Sequence, residues 1–173
     1  MSSPPPSLPT DDAEVEKIAR AALVTKFGDI AGLPAANVLD HAVYITGESD
    51  FVKRFGVTNE TTRKTQYRAL FIVFTGFDDS EEGCEDNPAY YLTYILRVVV
   101  SLGEWENGNS TDDFARIVMA LRRKVLSARH LAGYRQLRCK NLKRDRSNFG
   151  LEEETGLNAH SADLSLRVEV SPS

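Results

Sequence analysis

The chain has 173 residues, 42% hydrophobic and 27% charged, which fits one globular domain with a sizeable core. A net charge of −4 excludes chain-wide attraction to nucleic acid or to a membrane surface. No apolar run reaches the roughly 18 residues of a bilayer span. Two cysteines, Cys84 and Cys139, make no disulfide framework and read as a reducing compartment. The opening MSSPPPSLPT lacks the basic and apolar regions of a secretory signal.

In chain order, residues 1–10 hold four prolines and read as a flexible arm, with a single domain over 11–173. Asp11 and Glu14 resemble a capping box, and Val15, Ile18, Ala19, Ala22 and Leu23 recur at helical spacing. Gly28 is a suitable stop for that helix. The run 38–45 (VLDHAVYI) reads as a strand. Residues 46–66 are polar with glycines and read as an ordered loop, because Phe51 and Phe55 need burial. Residues 67–77 and 90–102 are long β signals, apolar on both faces near their centres, and they predict central strands paired as an antiparallel hairpin. A helix capped by Ser110 or Thr111 follows, with Asp112 and Asp113 in its first turn. Its stripe is Phe114, Ile117, Val118, Leu121 and Val125, and its end is predicted near Gly133. Residues 134–143 and 159–170 read as strands separated by a long polar loop at 144–158. In the last strand Ala162, Leu164, Leu166, Val168 and Val170 alternate with polar residues. The predicted fold is α+β, a mostly antiparallel sheet with amphipathic helices packed on one face.

Motifs for chemistry are absent. The acidic stretch 78–88 places Gly83 correctly on a calcium-loop template. Its twelfth position, however, is Ala89 instead of the required Glu, and its flanks read as strands instead of helices. Neither cysteine has zinc-ligand spacing, and His41, His130 and His160 have none between them. There is no nucleophile elbow and no phosphate-binding glycine loop. His41 and His160 fall inside strand patterns and read as structural. The triplet Glu152–Glu154 reads as solvated surface. The expectation is a non-enzymatic protein without catalytic residues, metal or cofactor.

Charge asymmetry is the strongest signal. From Arg116 to Arg146 eleven cations face one acid, Asp145, for a net +10, so the rest of the chain carries −14. The densest acidic patch is Asp78, Asp79, Glu81, Glu82, Glu85 and Asp86. Opposite charges on separate segments suit head-to-tail association of copies, which closes into a ring where the rotation allows. The candidate interface residues are those six acids together with Arg122, Arg123, Arg138, Lys143, Arg144 and Arg146. A second reading makes Arg122, Arg123, Arg135, Arg138, Lys143 and Arg144 a nucleic-acid surface. No recognition motif accompanies them, and Tyr134 and Phe149 are the only aromatics available for stacking.

Taken together, these elements resemble the tail terminator, or tail completion, proteins of long-tailed bacteriophages: an N-terminal amphipathic helix, two strands joined by a charged hairpin, the helix TDDFARIVMALRRKVLSA and the closing strand HSADLSLRVEV. The resemblance covers residues 11–170 as an order of elements and carries no diagnostic motif. It implies a hexameric ring on the last ring of tail-tube protein, contact with the head connector, and DNA in transit through the lumen. It further implies a place in the tail or neck of the virion, assembly in the host cytoplasm, and no membrane. Another neck, head-completion or tube component is the nearest alternative.

Overall fold

The computed structural model describes residues 6–43, 47–79, 89–101, 104–105, 108–131, 133–152 and 157–171. Helix α1 spans Asp12–Phe27, and the Asp11 carboxylate accepts from the Ala13 N–H at 2.9 Å. Asp12 and Glu14 lie at its positive end and Lys26 at its negative end. Val15, Ala19, Ala22, Leu23 and Phe27 are buried, the face predicted from spacing. Gly28 ends the helix in an ordinary right-handed conformation, its N–H bonded to the Thr25 carbonyl at 3.3 Å. Ahead of the helix, Leu8 packs against the core formed by α1.

A single 3₁₀ turn, Ala35–Asn37, leads into β1 (Val38–Leu39). The strand predicted over 38–45 is thus two residues long, and it pairs parallel to β3 through Val38↔Leu70. The chain leaves the sheet at Asp40, whose carbonyl accepts from Arg20 Nη1 at 2.9 Å and whose carboxylate meets His41 at 2.6 Å. The Arg20 bond holds Asp40 toward α1 and away from a ladder. Residues 44–46 lie outside the described part of the chain.

The predicted loop 46–66 contains helix α2 (Glu48–Phe55) and strand β2 (Gly56–Thr58). Burial of Phe51 and Phe55, expected from composition, is achieved through that helix. Strand β3 (Thr65–Asp79) pairs antiparallel with β4 (Tyr90–Ser101) from Arg68↔Val100 to Asp79↔Tyr90, as the hairpin expectation required. A bulge between Phe74 and Gly76 interrupts the register, and Gly76 has φ +146, a value L side chains rarely adopt.

A two-stranded ribbon, β5 (Glu104–Trp105) and β6 (Gly108–Asn109), precedes α3 (Ser110–Ser127). The helix stops before the predicted Gly133. The Arg129 carbonyl instead accepts from the Cys139 N–H at 2.7 Å, and β7 (His130–Leu131) pairs with β8. Strand β8 (Tyr134–Glu152) and strand β9 (Leu157–Val170) replace most of the predicted loop 144–158. Their ladder continues to Glu152↔Leu157 with irregularities after Cys139 and Arg144. Backbone pairing along β9 sustains this polar strand where apolar alternation gives no signal.

The main sheet runs β1-β3-β4-β9-β8-β7, with β2 also on β3, and every pairing except β1–β3 is antiparallel. The fold is α+β. One sheet face carries Leu70, Ile72, Tyr94, Leu96, Val98, Leu164, Leu166 and Val168 and packs against α1 and α3, forming the main core. Burial of each large apolar side chain there contributes about 1.5–3 kcal/mol. The opposite face holds a smaller cluster in which Phe51 and Phe55 of α2 meet Tyr67, Ala69, Phe71, Val99 and Ala159. Helices α1 and α3 therefore share one face as expected, and α2 adds cover to the other.

Candidate interaction surfaces

The hairpin end of β3 and β4 sits beside the first turns of α1. The Tyr90 hydroxyl donates to the Asp12 carboxylate at 3.0 Å, and the Tyr94 hydroxyl donates to the Glu16 carbonyl at 3.4 Å. Burial and the neighbouring carboxylate raise the Tyr90 pKa above the usual phenol range, so both hydroxyls remain donors. Around this anchor the surface is apolar. Phe77 is 69% exposed and Phe74 40% exposed, and with Leu92 they line a groove of about 410 Å³ whose rim carries Asp12, Glu16 and Asp79.

The acidic set is only partly inside the described residues, since Glu81, Glu82, Glu85 and Asp86 fall outside them. Asp78 pairs with Arg167 of the same chain at 3.2 Å, and that guanidinium lies 5.8 Å from the Tyr91 ring centre. Asp79 is exposed at the groove.

The basic set is divided by the sheet. Arg122 and Arg123 are exposed on α3, in the helix layer, and neither has an ion-pair partner among the described residues. Arg138 and Lys143 stand opposite Glu169 and Ser165 of β9, on the face away from α1 and α3. Arg144 is exposed opposite Leu164, and the Arg146 backbone pairs with Asp163. Two other cations are held within the chain. Lys140 pairs with Glu169 at 2.8 Å, and Lys124 pairs with Asp29. The +10 segment is thus two surfaces, not one. Its outward part on α3 includes Met119, 44% exposed, and Leu126, 49% exposed. Beside the helix runs a groove of about 760 Å³, lined in part by Met119, Ala120, Arg116 and Arg123 with Ala31 and Gly32.

The buried residues Arg68, Ser110 and His160 have structural partners. Arg68 Nε donates to Gln66 Oε1 at 2.6 Å and Nη1 to the Gly32 carbonyl at 2.8 Å, while Nη2 lies 3.4 Å from the Asp113 carboxylate. One guanidinium therefore ties β3, the 31–33 turn and the start of α3 together. Gly32 has φ +80, and a Cβ there would lie 2.6 Å from Arg68 Nη1. His160 is buried, with Nε2 3.0 Å from the Ser110 hydroxyl and its ring stacked on Phe114 at 5.4 Å. Burial lowers its pKa and so favours the neutral imidazole. Ser110, at the start of α3, and His160, on β9, form a pair, and both are buried. Cys139 is buried, and desolvation pushes its thiol up to about 11, opposed by Lys26, so little of it is nucleophilic thiolate. Among the described residues no three His, Cys, Asp or Glu side chains gather as metal ligands, and no helix is long and apolar enough to cross a membrane.

No protein-family model and no curated protein matches this sequence. A solved structure does. This chain is similar to a chain of the virion of a native gene transfer agent particle, with a TM-score of 0.51 and 14% identity. The alignment covers 91% of this chain and 98% of that one. At that identity the likeness shows a shared fold.

The surface residues that sequence reasoning missed are the apolar ones. Phe74 and Phe77 lie in an apolar strand where a core position is the natural reading. Met119 and Leu126 fall outside the predicted helical stripe, which was the available signal.

Proposed function

We propose that this chain is a structural protein of a phage-like virion, and within that class a tail terminator. Copies form a hexameric ring on the last ring of tail-tube protein, end tube growth, and present a surface to the head connector. DNA passes through the lumen. The observation that carries this reading is the fold shared, end to end, with a chain of a gene transfer agent virion. The surfaces agree with it: unpaired charge and exposed apolar groups lie on outward faces, whereas His160, Ser110, Cys139 and Arg68 are consumed by packing. In this role the protein needs no catalytic residue and no cofactor. It resides in the virion tail or neck after assembly in the host cytoplasm. Another neck or tube component has the same support from the fold and differs in its position in the particle.

Polymerising tail-tube protein with and without this chain tests the proposal. Electron microscopy should show tubes of limited length carrying a terminal ring when the chain is present. Tubes that grow unchecked and bare overturn the terminator role. The nucleic-acid reading has the exposed cations Arg135, Lys143 and Arg144 of β8, of which Lys143 and Arg144 lie on opposite faces of the sheet. That reading predicts duplex binding at physiological salt, with log affinity falling steeply against log salt and the slope shrinking by about one per cation removed.

A further inference from the structure

Among the described residues four large apolar side chains are exposed, and they fall into two patches. Phe74 and Phe77 form the first, at the hairpin end, rimmed by Asp12 and Asp79, with Glu16 beside them paired to Arg20 at 2.9 Å. Met119 and Leu126 form the second, one α3 face seven residues apart, two helical turns, with Arg116, Arg122 and Arg123 between or beside them. Of these, Arg116 lies 3.7 Å from Asp113, so Arg122 and Arg123 carry the patch's unpaired charge, opposed locally by exposed Asp112. The two grooves share no lining residue. One patch is a protruding aromatic with an acidic rim. The other is a helix flank carrying Arg122 and Arg123, beside an open groove whose lining also includes Asp112 and Asp113.

We propose that these patches are the two halves of one contact between successive copies of this chain, with Phe77 of one copy seated in the groove beside α3 of the next. The partner is a second copy because a single chain carries both complementary members and cannot bring them together itself. Each patch has an apolar centre and a charged rim, the anatomy of a specific interface. Asp12 and Asp79 on one patch suit Arg122 and Arg123 on the other, which fixes orientation and speeds encounter. Because the two halves differ, the contact is head-to-tail, and it repeats. Phe77 is the expected hot spot, a large aromatic in a pocket surrounded by weaker contacts. This contact deepens the ring reading above and supplies its subunit boundary, but it stands on the surfaces alone.

The test uses two full-length variants, Phe77→Asp and Met119→Glu, each altering a solvent-facing side chain, with circular dichroism to confirm folding. The wild-type chain should self-associate in sedimentation velocity. Each variant alone should sediment as a monomer, its Kd raised by more than about 10-fold. Mixed in equal amounts they should form a one-to-one dimer, since each retains the half the other lacks. The charge variant Arg122→Glu/Arg123→Glu, which leaves packing untouched, should behave as Met119→Glu does. A mixture that stays monomeric, variants that associate as wild type, or a wild-type chain monomeric up to about 1 mM overturns the proposal. Tube capping that survives these failures removes only this contact. Capping that fails while self-association persists removes the terminator reading instead.

Discussion

Arg68 shows how one residue fixes a corner of the molecule. It is 3% exposed, and its three nitrogens reach Gln66, Gly32 and Asp113 on three separate segments. Asp113 is also 3% exposed and belongs to the first turn of α3, where a carboxylate is favoured by the helix dipole. Removing one member of a buried pair leaves the other charge desolvated and uncompensated. Arg68→Met should therefore cost about 3–5 kcal/mol in urea unfolding. The double change Arg68→Met/Asp113→Leu should recover most of that loss, because well-packed apolar groups replace a buried pair at little cost. A double variant as unstable as the single would assign the stability to the bonds toward Gln66 and Gly32 instead. The sequence marks Asp113 only as a first-turn acid and does not mark Arg68. Arg68 sits inside a strand of apolar neighbours, and its partners are 36 and 45 positions away.

Among the elements, α2 has the clearest energetic role, since it brings Phe51 and Phe55 onto the second sheet face. Phe51 and Phe55 stand one turn apart, their rings 4.7 Å apart, and Phe51 meets the Tyr67 ring edge-on at 4.8 Å. Phe51→Ala should cost about 3–5 kcal/mol in stability. It should also expose the 69–71 region of β3 to hydrogen exchange before the α1 face. Equal protection on both faces in that variant would show that the smaller cluster does not close the sheet. The need to bury both phenylalanines was legible in sequence, but their helix was not. It is eight residues long between Gly47 and Gly56 and polar elsewhere, too short for periodicity to declare itself. The reverse problem hid the second half of β8. There the ladder with β9 maintains a strand in a segment whose composition reads as loop. The helices α1 and α3 and the core strands were legible because burial repeats at 3.6 or 2 residues along them. The surface charge was visible as well, but not its division by the sheet, because α3 and β8 are adjacent in sequence and lie on different layers.

At the scale of the whole molecule, the sheet is two hairpins joined side by side. β3–β4 and β8–β9 are each local in sequence, and β4–β9 unites them from Tyr90↔Val170 to Ser101↔Ala159. That seam brings together residues 58 to 80 positions apart. Strand β9 lies between β4 and β8 and supplies Leu164, Leu166 and Val168 to the main core. The first hairpin therefore emerges from the ribosome long before its permanent neighbour exists, with one edge of β4 unpaired meanwhile. Such an edge is a template for strand addition by other chains. Folding has to wait for synthesis to pass Val170, after which the seam closes at once over the longest loop in the fold. A chain ending at residue 156 should show no cooperative unfolding and should aggregate, whereas cooperative melting of that fragment would show that the first hairpin and the helices fold on their own. Late closure of the central strand thus keeps the finished surface from being presented before the chain beneath it is complete.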